Sequence, residues 1–194
     1  MHLEHLQLWW HRKLVQINFK LVSECLQLCK CVVLKFKKIE RLAVLSVLFY
    51  FKDFNMRIFN KIAQSFESQA FMKTIGAELD SVEEGKVIIS VELKPSMMQQ
   101  HGFGHAGVTF SIGDSAAGYA ALTKMANQQE VLTSEMKIHL LSPADGKVPK
   151  AVGSVLKSGK RLLVVQSNIY SVGDKNEKLV ATMLGTMVPS IVEI

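Results

Sequence analysis

One carboxylate stands by itself in an otherwise uncharged stretch of the chain. Asp114 lies within Val108–Leu122, a run of small and apolar residues with no other charge. A carboxylate on a helix buried to that degree is costly unless it is paired or used, which makes Asp114 the first catalytic candidate. Eight positions earlier, Ala106 sits in His105-Ala106-Gly107, after a glycine- and histidine-rich loop, Gln99-Gln-His-Gly-Phe-Gly104. A helix is expected to begin there, with the unspent N–H groups of its first turn favouring negative charge. Such an end suits an anion or a developing oxyanion. His101, His105 and Asp114 are all of metal-ligating type, but Asp114 falls too far down the helix, and no metal site or cofactor is expected.

The elements that must hold these residues follow from periodicity. Asn60–Lys73 carries Ile62, Ala63, Phe66, Ala70 and Phe71 at helical spacing, and Gly76 ends it. Ala77–Val82 and Val87–Leu93 read as strands joined by a turn at Glu83-Glu-Gly-Lys86. Pro95 then opens the loop, and the central helix spans His105 to Met125. Glu130–Leu141 alternates partly, through Val131, Thr133, Glu135, Lys137 and His139, and ends at Ser142-Pro143. Lys150–Ser158, Leu162–Val172 and Leu179–Val188 complete a set of antiparallel strands. One apolar helix against one face of such a sheet is the economical α+β arrangement. Gly-x-Gly-x-x-Gly and P-loop patterns are absent.

Charge and composition divide the chain near residue 55. Residues 1–55 hold nine Lys/Arg against four Asp/Glu, a net +5; residues 56–194 hold fourteen against thirteen, a net +1. The basicity therefore belongs to the leader and gives the domain no reason to bind nucleic acid. All three cysteines (Cys25, Cys29, Cys31) and both tryptophans (Trp9, Trp10) also precede Met56. The cysteine spacings are not those of a zinc knuckle, so ordinary thiols are expected. Residues 1–55 lack the pattern of a signal peptide. The apolar run Leu42–Phe51 is about half the length of a membrane span. Met56 is the expected start of the native protein, with an interfacial anchor as the alternative for the leader. The expected organisation is an extension over 1–55 and one domain over 56–194, in the cytoplasm and away from membranes.

His101-Gly-Phe-Gly-His-Ala-Gly107, the Asp114 helix, Thr133-Ser-Glu-Met-Lys-Ile-His-Leu-Leu-Ser-Pro-Ala144 and Gly153-Ser-Val-Leu-Lys-Ser-Gly-Lys-Arg161 follow one another at suitable intervals. In this combination residues 56–194 resemble the hotdog-fold acyl-CoA thioesterases of the phenylacetate-pathway (PaaI-like) type. The resemblance implies a long central helix wrapped by a curved antiparallel sheet, an acyl-CoA substrate, and a homodimer or dimer of dimers (a homotetramer). It also implies roles. The Ala106 N–H, at the middle of a family His-Gly-Gly, polarises the thioester carbonyl, with Gly107 beside it; Asp114 activates water or attacks directly. Gln99 lies near the substrate or lytic water, Thr133 supplies a hydroxyl, and His105 orients the helix start. Lys157, Lys160 and Arg161 flank a turn and are candidates for the CoA phosphates, with a solvated hairpin tip as the plainer alternative.

Geometry adds a constraint of its own. Eight residues span about 12 Å along a helix at 1.5 Å per residue, whereas attack needs reacting atoms roughly 3–3.5 Å apart. Ala106 and Asp114 of one helix cannot serve one carbonyl, so the two groups are expected from different subunits on antiparallel helices. The competing function is a non-catalytic hotdog protein that binds acyl-CoA, which has no need of Asp114. A hotdog hydratase is disfavoured, because no proline-rich loop surrounds His101 or His105. His101 and His139 are expected to be surface residues, and Met97, Met98, Met125 and Met136 packing residues.

Overall fold

A computed structural model describes residues 38–173 and 176–190; the cysteines and tryptophans of the leader lie outside the described residues. The chain divides into two compact units, Met1–Lys52 and Asp53–Ile194, and every element below except the start of α1 lies in the second. Helix α1 (Lys38–Ser68) passes through Met56 without a break. It is anchored by Ile58, Ile62 and Phe66, one stripe at i, i+4 and i+8 that enters the core.

The single helix expected over 60–73 is instead two. Gln69 adopts an extended backbone and α2 (Ala70–Ile75) starts after it, ending at Gly76 in the left-handed region, φ 68°. Met72 and Ile75 are buried along with Ile62 and Phe66. On a straight helix Phe66 and Ile75 would point to opposite sides at 100° per residue, so only a break lets both pairs reach the core.

Six strands complete the domain: β1 (Ala77–Glu83), β2 (Lys86–Val91), β3 (Glu130–Leu140), β4 (Val148–Ser158), β5 (Leu163–Val172) and β6 (Glu177–Ser190). They form one open sheet in the order β1-β2-β4-β5-β6-β3, antiparallel at every pairing. A short 3-10 turn at Pro95–Met97 leads from β2 to the loop before the central helix α3 (Ala106–Leu122). That helix touches all six strands, including both edges. Six strands about 4.8 Å apart are wider than one helix, so the sheet must curl around it. The expected arrangement of a central helix wrapped by an antiparallel sheet is what is observed. Among the described residues no helix is long and apolar enough to cross a membrane.

α3 is shorter than the expected His105–Met125. Thr123 stops it: its hydroxyl donates to the Ala120 carbonyl at 2.6 Å and accepts the Gly85 N–H at 2.7 Å. The C-terminal end of α3 is thereby tied to the β1–β2 turn, where Gly85 has φ 79°.

The expected alternation of β3 is also corrected. The β3–β6 register shifts between Thr133 and Glu135, leaving Ser134 as a bulge. A bulge reverses the parity of the residues after it. Thr133 faces inward opposite Met187, while Glu135 accepts a hydrogen bond from Thr186 on the outer face. Met136 and Ile138 then take the inward positions, packed against the core. Glu135, Lys137 and His139 do not share the face of Val131 and Thr133.

The tightest helix–sheet approach is at Gly153 on β4. A Cβ there would collide with the carbonyl group of Ala116 and lie 2.5 Å from the Ala117 nitrogen. Backbone cannot rotate away as a side chain can. Gly153→Ala is expected to destabilise the fold by about 1–3 kcal/mol or more through overpacking. Denaturant unfolding would show this as a lower midpoint; an unchanged midpoint would mean that α3 lifts off β4 at little cost.

Candidate active site

The N-terminus of α3 is built by sequential commitment of its donors. His105 is the N-cap, extended at φ −65°, ψ 137°, and its Nδ1 accepts the Gly107 N–H at 2.9 Å. A ring that accepts at Nδ1 carries its proton on Nε2. The same ring explains the glycine, because a Cβ on residue 107 would meet Nδ1 at 2.9 Å. Val108 and Thr109 both donate to the His105 carbonyl. Of the first-turn N–H groups only that of Ala106 has no acceptor among the described residues. Ala106 has no positive φ, so alanine adopts the backbone as readily as the glycine of the family pattern.

The preceding loop is pinned at several points. His105 N–H donates to Met97 O at 2.8 Å, Gly104 N–H to Ala144 O at 2.9 Å, and Gln99 N–H to Phe103 O at 2.8 Å. Gly102 takes φ 80°, which a tight return of this kind requires. The Gln99 side chain closes the loop, its Oε1 accepting the His101 N–H at 2.7 Å. Its Nε2 is left with no partner among the described residues. His101 itself is exposed.

Gln99 and Ala106 line one cleft of about 520 Å³, with Phe103, Thr109, Val180 and the segment Leu140–Ala144. No charged side chain lines it. The wall from Leu140 to Ala144 includes the Ser-Pro-Ala segment visible in the sequence. Thr109, one turn beyond Ala106, could be found from helical spacing, whereas Val180 comes from β6 and has no local signal.

Asp114 and Thr133 do not line this cleft. Thr133 Oγ1 donates to Asp114 Oδ1 at 2.9 Å, with Met187 Sδ at 3.4 Å from the same hydroxyl. Ser111, on the same helix, donates to the Gly107 carbonyl at 2.7 Å. Burial pushes the Asp114 carboxyl above its ordinary range, and the Thr133 hydrogen bond opposes that in part. The Oδ2 atom has no partner among the described residues.

Lys157, Lys160 and Arg161 lie apart from the cleft, exposed at and beside the β4–β5 turn. Val155, just before them, donates its N–H to Gly85 O at 2.9 Å. The turn therefore extends past the C-terminal end of α3, opposite the end that holds Ala106. Among the described residues these three cations form no ion pair, and no cluster suited to a metal ion occurs. Met97, Met125 and Met136 pack as expected, and Met98 is partly exposed.

The chain is similar in sequence and fold to known proteins. The profile of the thioesterase superfamily matches residues 101–178. A crystal structure of a thioesterase family protein from Silicibacter pomeroyi is 36% identical, covering 70% of this chain and 99% of that one, with a TM-score of 0.68. The 1,4-dihydroxy-2-naphthoyl-CoA hydrolase of Listeria monocytogenes is 28% identical over 55% of this chain and 85% of its own. The acyl-coenzyme A thioesterase PaaI of Escherichia coli is 27% identical over 62% of this chain and 82% of its own.

The raised pKa of Asp114 has a consequence for stability. A carboxyl that binds its proton more tightly folded than unfolded costs stability above its folded pKa, and the cost is relieved as pH falls through that value. Asparagine keeps an acceptor for Thr133 and carries no charge. Asp114→Asn is therefore expected to unfold at a higher temperature than wild type at pH 7–8. The difference should shrink as the pH falls into the range where Asp114 is protonated. Thermal unfolding of both proteins across pH checks the sign.

Proposed function

The chain belongs to the thioesterase superfamily and is a thioester hydrolase, and from that premise we propose that it cleaves acyl-CoA to free acid and CoA in a site shared by two copies. One observation carries this reading: the unspent Ala106 N–H lines the cleft, while Asp114 does not. Their separation of about 12 Å along α3 follows from helix geometry. A second α3 running antiparallel would bring the partner's Asp114 to this chain's Ala106, and the reverse.

The surface supports such a partner. α3 is apolar nearly all round, yet Gly107 is exposed and Phe110, Ser111, Asp114 and Ser115 are only partly covered. Leu140 and Leu141 at the cleft are 57% and 52% exposed. An antiparallel partner also carries its β4–β5 turn past this chain's helix start. In that arrangement the partner's Lys157, Lys160 and Arg161 reach the mouth of the cleft, where they can meet the phosphates of CoA while the uncharged walls hold the pantetheine arm.

In the reaction the thioester oxygen takes up negative charge facing the Ala106 N–H, with Gln99 Nε2 available as a second donor. Asp114 is held through Oδ1 by Thr133, so Oδ2 is free. It accepts a proton from water as the water oxygen bonds to the carbonyl carbon; the oxyanion then collapses, the C–S bond breaks, and the leaving sulfur takes that proton from Asp114, which restores the carboxylate. Direct attack by Oδ2, giving an anhydride that water opens, uses the same atoms.

Two substitutions isolate the two halves. Ala106→Pro deletes the N–H at the first helical position, where proline is well tolerated, and His105 already has the extended backbone that proline asks of its predecessor. Its expected effect is a loss of about 100- to 1,000-fold in kcat. Asp114→Asn should lose about 100- to 10,000-fold while still binding the substrate. Refolding the two variants together should restore roughly a quarter of wild-type activity, since half the dimers are mixed and each has one intact site of two. Absence of recovery would place both groups in one subunit's site. Full activity of Asp114→Asn would reject the mechanism, and acyl-CoA binding without turnover in the wild type would leave a binding protein as the better reading.

A further inference from the structure

α3 ends without a cation of its own: no basic residue occupies its last turn. The negative end of a helix and its unpaired carbonyls favour positive charge. Beyond that end, the turn that leads towards β3 is met by a cation from another element. Lys61, on α1, donates from Nζ to the Ala126 carbonyl at 3.0 Å and to the Gln129 carbonyl at 3.1 Å.

The two acceptors belong to the turn that delivers the chain from α3 into β3. Gln129 N–H closes this turn on Ala126 O at 3.0 Å, and Gln129 Oε1 accepts the Ala126 N–H at 3.1 Å. Lys61 spans the same two residues from outside, completing a ring of hydrogen bonds around the turn. Burial lowers the pKa of Lys61, with the Glu130 carboxylate opposing the shift. An ammonium that gives up water for two fixed carbonyls is a clamp of higher cost and greater precision than a surface lysine.

What the clamp fixes is the start of an edge strand. β3 has β6 as its only neighbour in the sheet. Glu130 comes directly after the clamped turn, and Thr133, three residues on and just before the bulge, donates to Asp114. A shift in this segment changes where the Thr133 hydroxyl sits and so how the carboxylate is held. We propose that Lys61 is a positioning residue for catalysis: by clamping the Ala126–Gln129 turn it sets the Thr133–Asp114 pair from a helix that precedes the sheet. The inference rests on Asp114 being the catalytic acid group, as proposed above.

The test compares Lys61→Met with Lys61→Arg and with Phe66→Leu. Phe66 anchors the same helix against Tyr119, ring centroids 5.9 Å apart, and serves as a control for lost helix packing. Assays run well below each unfolding midpoint. Lys61→Met is expected to lose about 10- to 100-fold in kcat, as small misplacements of reacting groups do, with KM changed less than about twofold. Amide exchange over 130–133 should accelerate. Lys61→Arg, which keeps the charge and can bond both carbonyls, should recover most of kcat, and Phe66→Leu should lower the midpoint while sparing kcat. If Lys61→Met does not fold, Lys61→Gln, which retains one donor without charge, carries the same comparison. Folded Lys61→Met or Lys61→Gln with wild-type kcat, or losses matched by Phe66→Leu, would overturn the proposal. Should Asp114→Asn prove fully active, the catalytic reading fails first, and the exchange data alone then report whether the clamp orders β3.

Discussion

At Gly153 the sheet offers no side chain, and the backbone of Ala116 and Ala117 occupies the space a Cβ would need. The same sinking of helix into sheet recurs at Gly113, where a Cβ would collide with Met183 Sδ. These two gaps, one on each partner, let α3 lie deep enough to touch every strand. Depth decides where both helix ends emerge. One end opens beside Leu140–Ala144 and Val180, which gives the cleft its walls; the other meets Gly85 through Thr123. A shallower helix would lift the first turn away from those walls.

Within that frame, polar groups near the reaction are each half used. His105 consumes the Gly107 N–H, so the neighbouring Ala106 N–H remains. His101 consumes the oxygen of Gln99, so its NH₂ remains. Thr133 consumes one oxygen of Asp114, so the other remains. Fixing one atom of a group while freeing its twin removes rotational freedom without removing reactivity, which is the condition for preorganised catalysis. The cost shows at Asp114, whose burial disfavours the charged form that the proposed reaction requires. One buried hydroxyl departs from this economy: Ser167 Oγ, in the middle of β5, has no partner among the described residues.

Much of this is legible in the sequence because it depends on local pattern. An isolated carboxylate in an apolar run, a His-x-Gly before it, and glycines at the Glu83–Lys86 turn and at the end of the first helix are short-range signals. The strands and the central helix they predict are present with boundaries shifted by a few residues, whereas the first helix begins far earlier, at Lys38, and is broken at Gln69. What the sequence hides is parity and long-range contact. β3 alternates on paper through His139, but the Ser134 bulge reverses it, and only pairing with β6 reveals a bulge. The break at Gln69 depends on where Met72 and Ile75 must go, which is a property of the assembled core. Thr133 stands out by resemblance; that its hydroxyl holds Asp114 requires the fold. Lys61 carries no signal at all, being a lysine on a helix whose partners lie 65 and 68 positions away.

The eight-residue offset between donor and acid also constrains how two copies can meet. In the proposed antiparallel arrangement each Ala106 faces the other chain's Asp114, and the two-fold axis must then pass at the midpoint, the level of Phe110. Small residues flank that level on the partly covered side of α3, at Gly107, Ser111 and Ser115. Close approach of two helices needs such residues at the seam, and an apolar ring on the axis fills the gap they leave. The same stripe that looks unsuited to solvent in one copy is thus the surface a second copy requires. An isolated chain would hold a cleft with a donor and no acid, and a distant acid with no cleft.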